Sequence, residues 1–78
     1  MKYEDFIKEI DMGLELEFKF KGKGYAFSWS NYILYFYEWN KPETEQAFKT
    51  IFEADKNLKI DGMSLRRAFE HFEDIGSA

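Results

Sequence analysis

The chain has 78 residues, nine Phe, five Tyr, two Trp, no cysteine and a net charge of −4 at pH 7. This length predicts one domain, residues 1–78, and the absence of cysteine excludes a disulfide framework and favours a reducing cytoplasm. The acidic balance disfavours nucleic acid as a partner, and the longest apolar runs are far shorter than the ~18 residues that span a membrane.

The first predicted element is a helix over residues 3–12. Its apolar positions recur at the i, i+3, i+4, i+7 spacing of one helical face: Tyr3, Phe6, Ile7 and Ile10. Gly13 follows this stripe and can end the helix in a left-handed conformation.

After Gly13 the spacing of the apolar residues changes from a period of 3.6 to a period of two, which predicts a half-buried strand. Its inward positions are Leu14, Leu16, Phe18 and Phe20.

The next two apolar runs predict an antiparallel β-meander of three strands. With a turn at Gly22-Lys23-Gly24, the alternation predicts that Phe20 pairs with Tyr25 and Phe18 with Phe27.

The third strand, over residues 32–39, can present either face to the core. A two-residue turn at Ser30-Asn31 pairs Phe27 with Leu34 and places Leu34 and Phe36 in the core. The opposite face then carries Ile33, Tyr35, Tyr37 and Trp39. A three-residue turn reverses the two faces. We prefer the first register because Leu34 and Phe36 are the more purely apolar pair.

Residues 43–55 allow two interpretations. Apolar residues at helical spacing fit one helix that begins near Pro42, which suits a first turn. Alternatively, Thr50-Ile51-Phe52-Glu53 is a capping box that begins a short helix at Ile51, and residues 45–48 form a short fourth strand. The capping box favours the second interpretation slightly.

The last predicted element is an amphipathic helix from Ser64 to Ile75, after a turn at Asp61-Gly62. Its apolar stripe is Leu65, Ala68, Phe69, Phe72 and Ile75. The complete prediction is an α+β domain: an N-terminal helix, an antiparallel meander, a short helix and a C-terminal helix packed on one sheet face.

No residue pattern predicts an enzyme, a cofactor or a metal site. Counted as a calcium loop from Asp55, the chain places Lys59 and Arg66 where oxygen ligands belong. His71 is the only histidine, so a zinc site of His and Cys ligands cannot form. The Gly22-Lys23-Gly24 segment lacks the following helix that would hold a phosphate. Glu15 and Glu17, as a carboxylate pair, lack a predicted apolar pocket that would separate their pKa values.

The order of several segments is similar to that of small α+β proteins of unknown function from Gram-positive bacteria and their phages or prophages. The segments are Phe6-Ile7, Ile10-Asp11-Met12-Gly13, Leu14-Glu15-Leu16-Glu17-Phe18, Lys21-Gly22-Lys23-Gly24-Tyr25 and Lys59-Ile60-Asp61-Gly62-Met63-Ser64-Leu65. This resemblance covers nearly the whole chain. It implies a fold and a genomic setting, and it carries no functional residues.

The second aromatic face of the meander is the candidate site. Its predicted contact residues are Tyr35, Tyr37 and Trp39 with the neighbouring Glu15 and Glu17. Tyr and Trp concentrate at interface hot spots, which predicts a non-enzymatic module that binds an unidentified protein. A third strand at the sheet edge could instead pair with a partner's strand or with its own copy.

Three alternatives stand beside this interpretation. Residues 43–55 could fold back and cover the second face, which would make it part of the core. The chain could be a phage-encoded inhibitor of a host nuclease or defence complex that acts through its acidic surface. From another class, it could be a small hydrolase or nuclease subunit, which the residue inventory barely permits.

Overall fold

The computed structural model describes residues 1–78. In it, three short helices pack on one face of an antiparallel sheet. The helices are α1 (Tyr3–Asp11), α2 (Ile51–Asn57) and α3 (Leu65–Phe69). The strands of the sheet are β1 (Leu16–Phe20), β2 (Lys23–Ser30), β3 (Ile33–Glu38), β4 (Lys41–Phe48) and β7 (Glu73–Ser77), in the spatial order β4-β3-β2-β1-β7. A small hairpin, β5 (Lys59–Ile60) and β6 (Met63–Ser64), lies between α2 and α3. The predicted α+β class is confirmed.

No helix has both the length and the apolar character needed to cross a membrane.

The hydrophobic core lies between the helices and one face of the sheet. The helices contribute Tyr3, Phe6, Ile10, Ile51, Ala54, Leu65 and Ala68. The strands of the sheet contribute Leu16, Phe18, Phe20, Phe27, Leu34, Phe36 and Phe48. Leu34 and Phe36 are therefore buried, as the preferred register predicts. Leu14 precedes β1 and is 43% exposed, so its predicted place in the core is wrong.

The first hairpin differs from its predicted register by two residues. Its turn is Lys21-Gly22, with φ of +52° and +78°, and Phe18 pairs with Tyr25 instead of Phe27. Positive φ at both central positions is typical of a type I′ turn, whose twist matches that of the flanking strands. A shift of two residues leaves every side chain on its predicted face.

The second hairpin shows the same two-residue shift. Its turn is Asn31-Tyr32, with φ of +51° and +64°, and Phe27 pairs with Phe36 instead of Leu34. The predicted pairing partners are therefore wrong in both hairpins, while the predicted faces are right.

Residues 41–57 form a strand followed by a short helix. The strand β4 begins at Lys41, so it is longer than the predicted segment 45–48, and Pro42 lies within it. Edge strands tolerate proline because one side of their backbone has no partner. The Thr50 Oγ1 accepts a hydrogen bond of 3.1 Å from the Glu53 amide, and α2 begins at Ile51. The helix start at Ile51 and its Thr50 cap are confirmed, and the helix from Pro42 is wrong. The Glu53 carboxylate accepts a hydrogen bond of 3.2 Å from the Lys49 amide and not from the Thr50 amide, so the reciprocal half of a capping box does not form.

Replacing Thr50 with alanine should lower the free energy of unfolding by about 1 kcal/mol, because one amide of the first helical turn loses its acceptor. Thr50→Ser keeps the oxygen and should lose less than half as much. Urea unfolding followed by circular dichroism measures both variants. Equal losses in the two variants would show that the hydroxyl is not the stabilising group.

The C-terminal segment departs most from the sequence-based prediction. The helix predicted over Ser64–Ile75 ends at Phe69, and β7 pairs with β1. Phe72 and Ile75 still pack against the core, although Phe72 now lies in the connection between α3 and β7 and Ile75 lies in β7. Asp74 has a φ of +54°, which a continuous helix does not allow. The β7 strand supplies backbone partners to the side of β1 that faces away from β2.

Candidate functional site

The sheet face opposite the helices carries a second set of aromatic side chains. We define the outward face as Ile33, Tyr35, Tyr37, Trp39, Gly24, Ala26, Ser28, Ala47, Glu15, Glu17 and Lys19. Strand pairing places Ser28, Tyr35 and Ala47 in one row across the sheet. Glu17, Ala26 and Tyr37 form the adjacent row. The aromatic residues on β3 thus have small residues beside them.

No other element of the chain lies over this face. The β4 strand extends the sheet beside β3, and α2 directs Ile51 and Ala54 into the core on the other side. The alternative in which residues 43–55 cover the aromatic face is therefore wrong. Tyr35, Tyr37 and Trp39 are all half-buried.

The side chains of the outward face pack on one another and on the sheet. Ala26 is only 3% exposed, and it is the one buried apolar residue outside the core cluster. Its partners on the neighbouring strands are Glu17 and Tyr37. Since no helix covers this face, side chains of the face itself must shield Ala26 from solvent. The face is thus an ordered surface with aromatic side chains lying close to the sheet.

Trp39 is held against β2 by a feature that the sequence-based analysis missed. The Trp39 amide donates a hydrogen bond of 2.9 Å to the Gly24 carbonyl, and the indole lies over Gly24. A Cβ at Gly24 would overlap the indole ring. Sequence analysis assigned Gly24 to the turn, whereas the turn uses Lys21 and Gly22. The sequence does contain a signal for this packing, since Gly24 is a second glycine that the turn does not require.

Glu15 and Glu17 have different environments, although both lie on the outward face. One carboxylate oxygen of Glu15 accepts hydrogen bonds from the Ser28 hydroxyl (3.1 Å) and from the Trp29 amide (2.8 Å). Glu17 lies beside Ala26 and takes part in no ion pair. The structure thus brings the five predicted contact residues to one face, with Glu15 bonded to the neighbouring strand.

Replacing Glu15 with alanine should destabilise the fold by about 1–3 kcal/mol, because the partly buried Trp29 amide loses its acceptor. Glu15→Gln retains an oxygen and should cost less than about 1 kcal/mol. Glu43→Ala, at an exposed position on β4, serves as the control and should be nearly neutral. Urea unfolding distinguishes these cases. A stability of Glu15→Ala equal to that of Glu43→Ala would contradict the structural role.

The prediction that the third strand lies at a sheet edge is wrong. The β3 strand pairs with both β2 and β4, so its backbone cannot accept a partner's strand. The edges are β4 and β7. The β4 edge carries Pro42, Glu43 and Glu45, and prolines and charges are typical of strands protected against edge-to-edge association. The candidate contact surface is therefore formed by the side chains of the outward face and not by the backbone of a strand edge.

A groove of about 370 Å³ between α1 and α2 is the second candidate. At its floor the Tyr3 hydroxyl donates a hydrogen bond to the Asp55 carboxylate, and the Arg66 guanidinium lies 4.6 Å from the centroid of the Tyr3 ring. Burial, together with the Asp55 carboxylate, raises the pKa of Tyr3 well above its usual range. These groups bind one another and link the three helices, which gives the groove a structural role.

The remaining residues considered from the sequence are dispersed. Asp55 lies in α2, and Asp61 lies in the turn between β5 and β6. The Lys21 ammonium, which forms an ion pair with Asp61, holds the pKa of that carboxyl below its usual value. His71 is exposed in the turn after α3. No group of three or more His, Cys, Asp or Glu side chains is arranged to hold a metal ion.

Comparisons with protein-family models, with curated proteins and with solved structures give no match.

Proposed function

We propose that this chain is a small, non-enzymatic, cytoplasmic protein-interaction module and that the outward face is its contact surface. The observation that carries the proposal is an aromatic face of the sheet that no element of the chain covers. Tyrosine and tryptophan are enriched at interface hot spots because they combine a large apolar area with a polar group. Tyr35, Tyr37 and Trp39 offer these properties on adjacent positions of the face.

The side chains of the outward face are held in fixed positions before any partner binds, which supports the proposal. Trp39 is fixed by a backbone hydrogen bond and by its packing over Gly24. Tyr35 and Tyr37 project from an interior strand, whose backbone is paired on both sides. Side chains that are already ordered lose less conformational entropy on association, so more of the contact energy appears as affinity.

The proposal is tested by affinity capture with a tagged chain from a lysate of the organism that encodes it. The Tyr35→Ala/Tyr37→Ala variant should lose the captured partner, with about 100-fold weaker binding once the partner is purified. Phe52→Ala is the matched control, because Phe52 is 53% exposed on α2, on the other side of the sheet. Phe52→Ala should retain the partner. Equal capture by the double variant and the unchanged chain would contradict the proposal.

A further inference from the structure

One end of the outward face forms a cleft beside the sheet edge. The cleft has a volume of about 200 Å³ and is lined by Tyr37, Asn40, Lys41, Pro42 and Glu45. Tyr37 comes from β3 and Glu45 from β4, so an aromatic and an acidic residue from neighbouring strands line the same cleft. This volume is sufficient for the end of one long side chain.

The charges around the cleft favour a cation. The Lys41 ammonium lies 3.2 Å from the Glu38 carboxylate, so its charge already has a partner in the chain. Lys19, at the other side of the face, is similarly paired with Asp74 at 3.9 Å. Glu45 and Glu17, by contrast, take part in no ion pair. Tyr37 is therefore flanked by two carboxylates, those of Glu17 and Glu45, that form no ion pair within the chain.

We infer that the partner presents a basic segment to the outward face and that an arginine side chain of this segment occupies the cleft between Tyr37 and Glu45. A guanidinium can stack on the tyrosine ring while its N–H groups donate to the carboxylate. Pro42 offers apolar surface to the methylene groups of the arginine. This inference rests on the proposed function, since it assigns the chemistry of the partner at the same face.

A second copy of the chain paired at the β4 edge is less favourable than a basic partner. Antiparallel pairing of two β4 edges centred on Thr44 would place Glu43 opposite Glu45 of the other copy. Like charges opposite each other on paired strands are destabilising. A basic segment instead encounters complementary charge at Glu45 and at Glu17.

The test is a titration of the ¹⁵N-labelled chain with the peptide acetyl-Gly-Arg-Gly-Arg-Gly-amide at low ionic strength, followed by NMR. Backbone amides of Tyr37, Asn40 and Glu45 should shift in a saturable manner. The same peptide with citrulline in place of arginine keeps the shape and loses the charge, and it should bind at least about tenfold more weakly. Glu45→Gln should weaken binding of the arginine peptide about fivefold. Glu70→Gln, at an exposed position after α3, should leave binding unchanged.

Equal binding of the citrulline peptide, unchanged binding by Glu45→Gln, or shifts confined to the groove between α1 and α2 would each overturn the inference. If the arginine peptide does not bind while partner capture still depends on Tyr35 and Tyr37, the inference fails and the proposed function stands. If partner capture is independent of Tyr35 and Tyr37, the proposed function fails, and the inference fails with it.

Discussion

Phe18→Ala is expected to lower the free energy of unfolding by about 3–5 kcal/mol, the usual cost of removing a large buried ring. Phe18 is fully buried, and its ring centroid lies 3.8 Å from that of Phe72. Four more aromatic rings lie within 6.4 Å of it between centroids: Phe6, Tyr25, Phe27 and Phe36. A domain of this size has a total stability of roughly 4–12 kcal/mol. The variant should therefore lose about a quarter or more of the stability of the fold.

Phe52→Ala is the matched control for this prediction. It removes the same side chain from a position that is 53% exposed, so it should cost less than about 1 kcal/mol. Urea unfolding followed by circular dichroism gives both values. A loss below about 1 kcal/mol in Phe18→Ala, or similar losses in the two variants, would contradict the assignment of the core face.

Gly24→Ala is expected to cost about 1–3 kcal/mol, because the new methyl group occupies space that the Trp39 indole fills. Backbone conformation is not the cause, since Gly24 is not among the glycines with positive φ. The indole should move away from β2, and the tryptophan emission should shift to longer wavelength as the ring becomes more exposed. Urea unfolding and fluorescence measure the two effects on the same sample.

Gly76→Ala is the control on the same sheet. Gly76 lies on β7 opposite Glu17, and a Cβ there would meet no atom within 4 Å. This variant should be neutral or slightly stabilising, because alanine restricts the unfolded chain. The cost of Gly24→Ala should also largely disappear when Trp39 is replaced with alanine, since the overlapping ring is then absent. An undiminished cost in the Trp39→Ala background would show that another contact is responsible.

The alternation of apolar residues was sufficient to predict which side chains of the meander enter the core. It could not predict their partners, because a shift of two residues in a hairpin leaves every face unchanged. The turn residues decide the register, and the two turns that form, Lys21-Gly22 and Asn31-Tyr32, each have positive φ at both positions. Of these four residues only Gly22 adopts that conformation without a steric cost. The sequence therefore marks the turns weakly.

The C-terminal strand could not be predicted from local pattern. Phe72 and Ile75 continue the helical stripe of α3, and both still contact the core from their positions outside the helix. Burial of these two side chains is thus compatible with a helical and with an extended backbone. The pairing of β7 with β1 favours the extended one. These strands are far apart in the sequence, so only the tertiary structure shows that β1 has a free side to pair with.

The candidate site was predicted in part. The positions of Tyr35, Tyr37 and Glu17 on one face follow from the period of two. The hydrogen bonds of Glu15 and the packing of Trp39 over Gly24 depend on contacts between strands, which the sequence pattern does not contain. The cleft between Tyr37 and Glu45 likewise depends on β4, which sequence analysis placed only as an optional short strand.

The most direct test of the contact surface is the stability of the Tyr35→Ala/Tyr37→Ala variant, measured by urea unfolding beside Phe18→Ala. If the two rings serve a partner and not the core, the double variant should lose less than about 1.5 kcal/mol and keep the NMR spectrum of the folded chain. A loss comparable to that of Phe18→Ala, about 3–5 kcal/mol, would show that these rings hold the fold together. That result would contradict the assignment of the outward face as a contact surface.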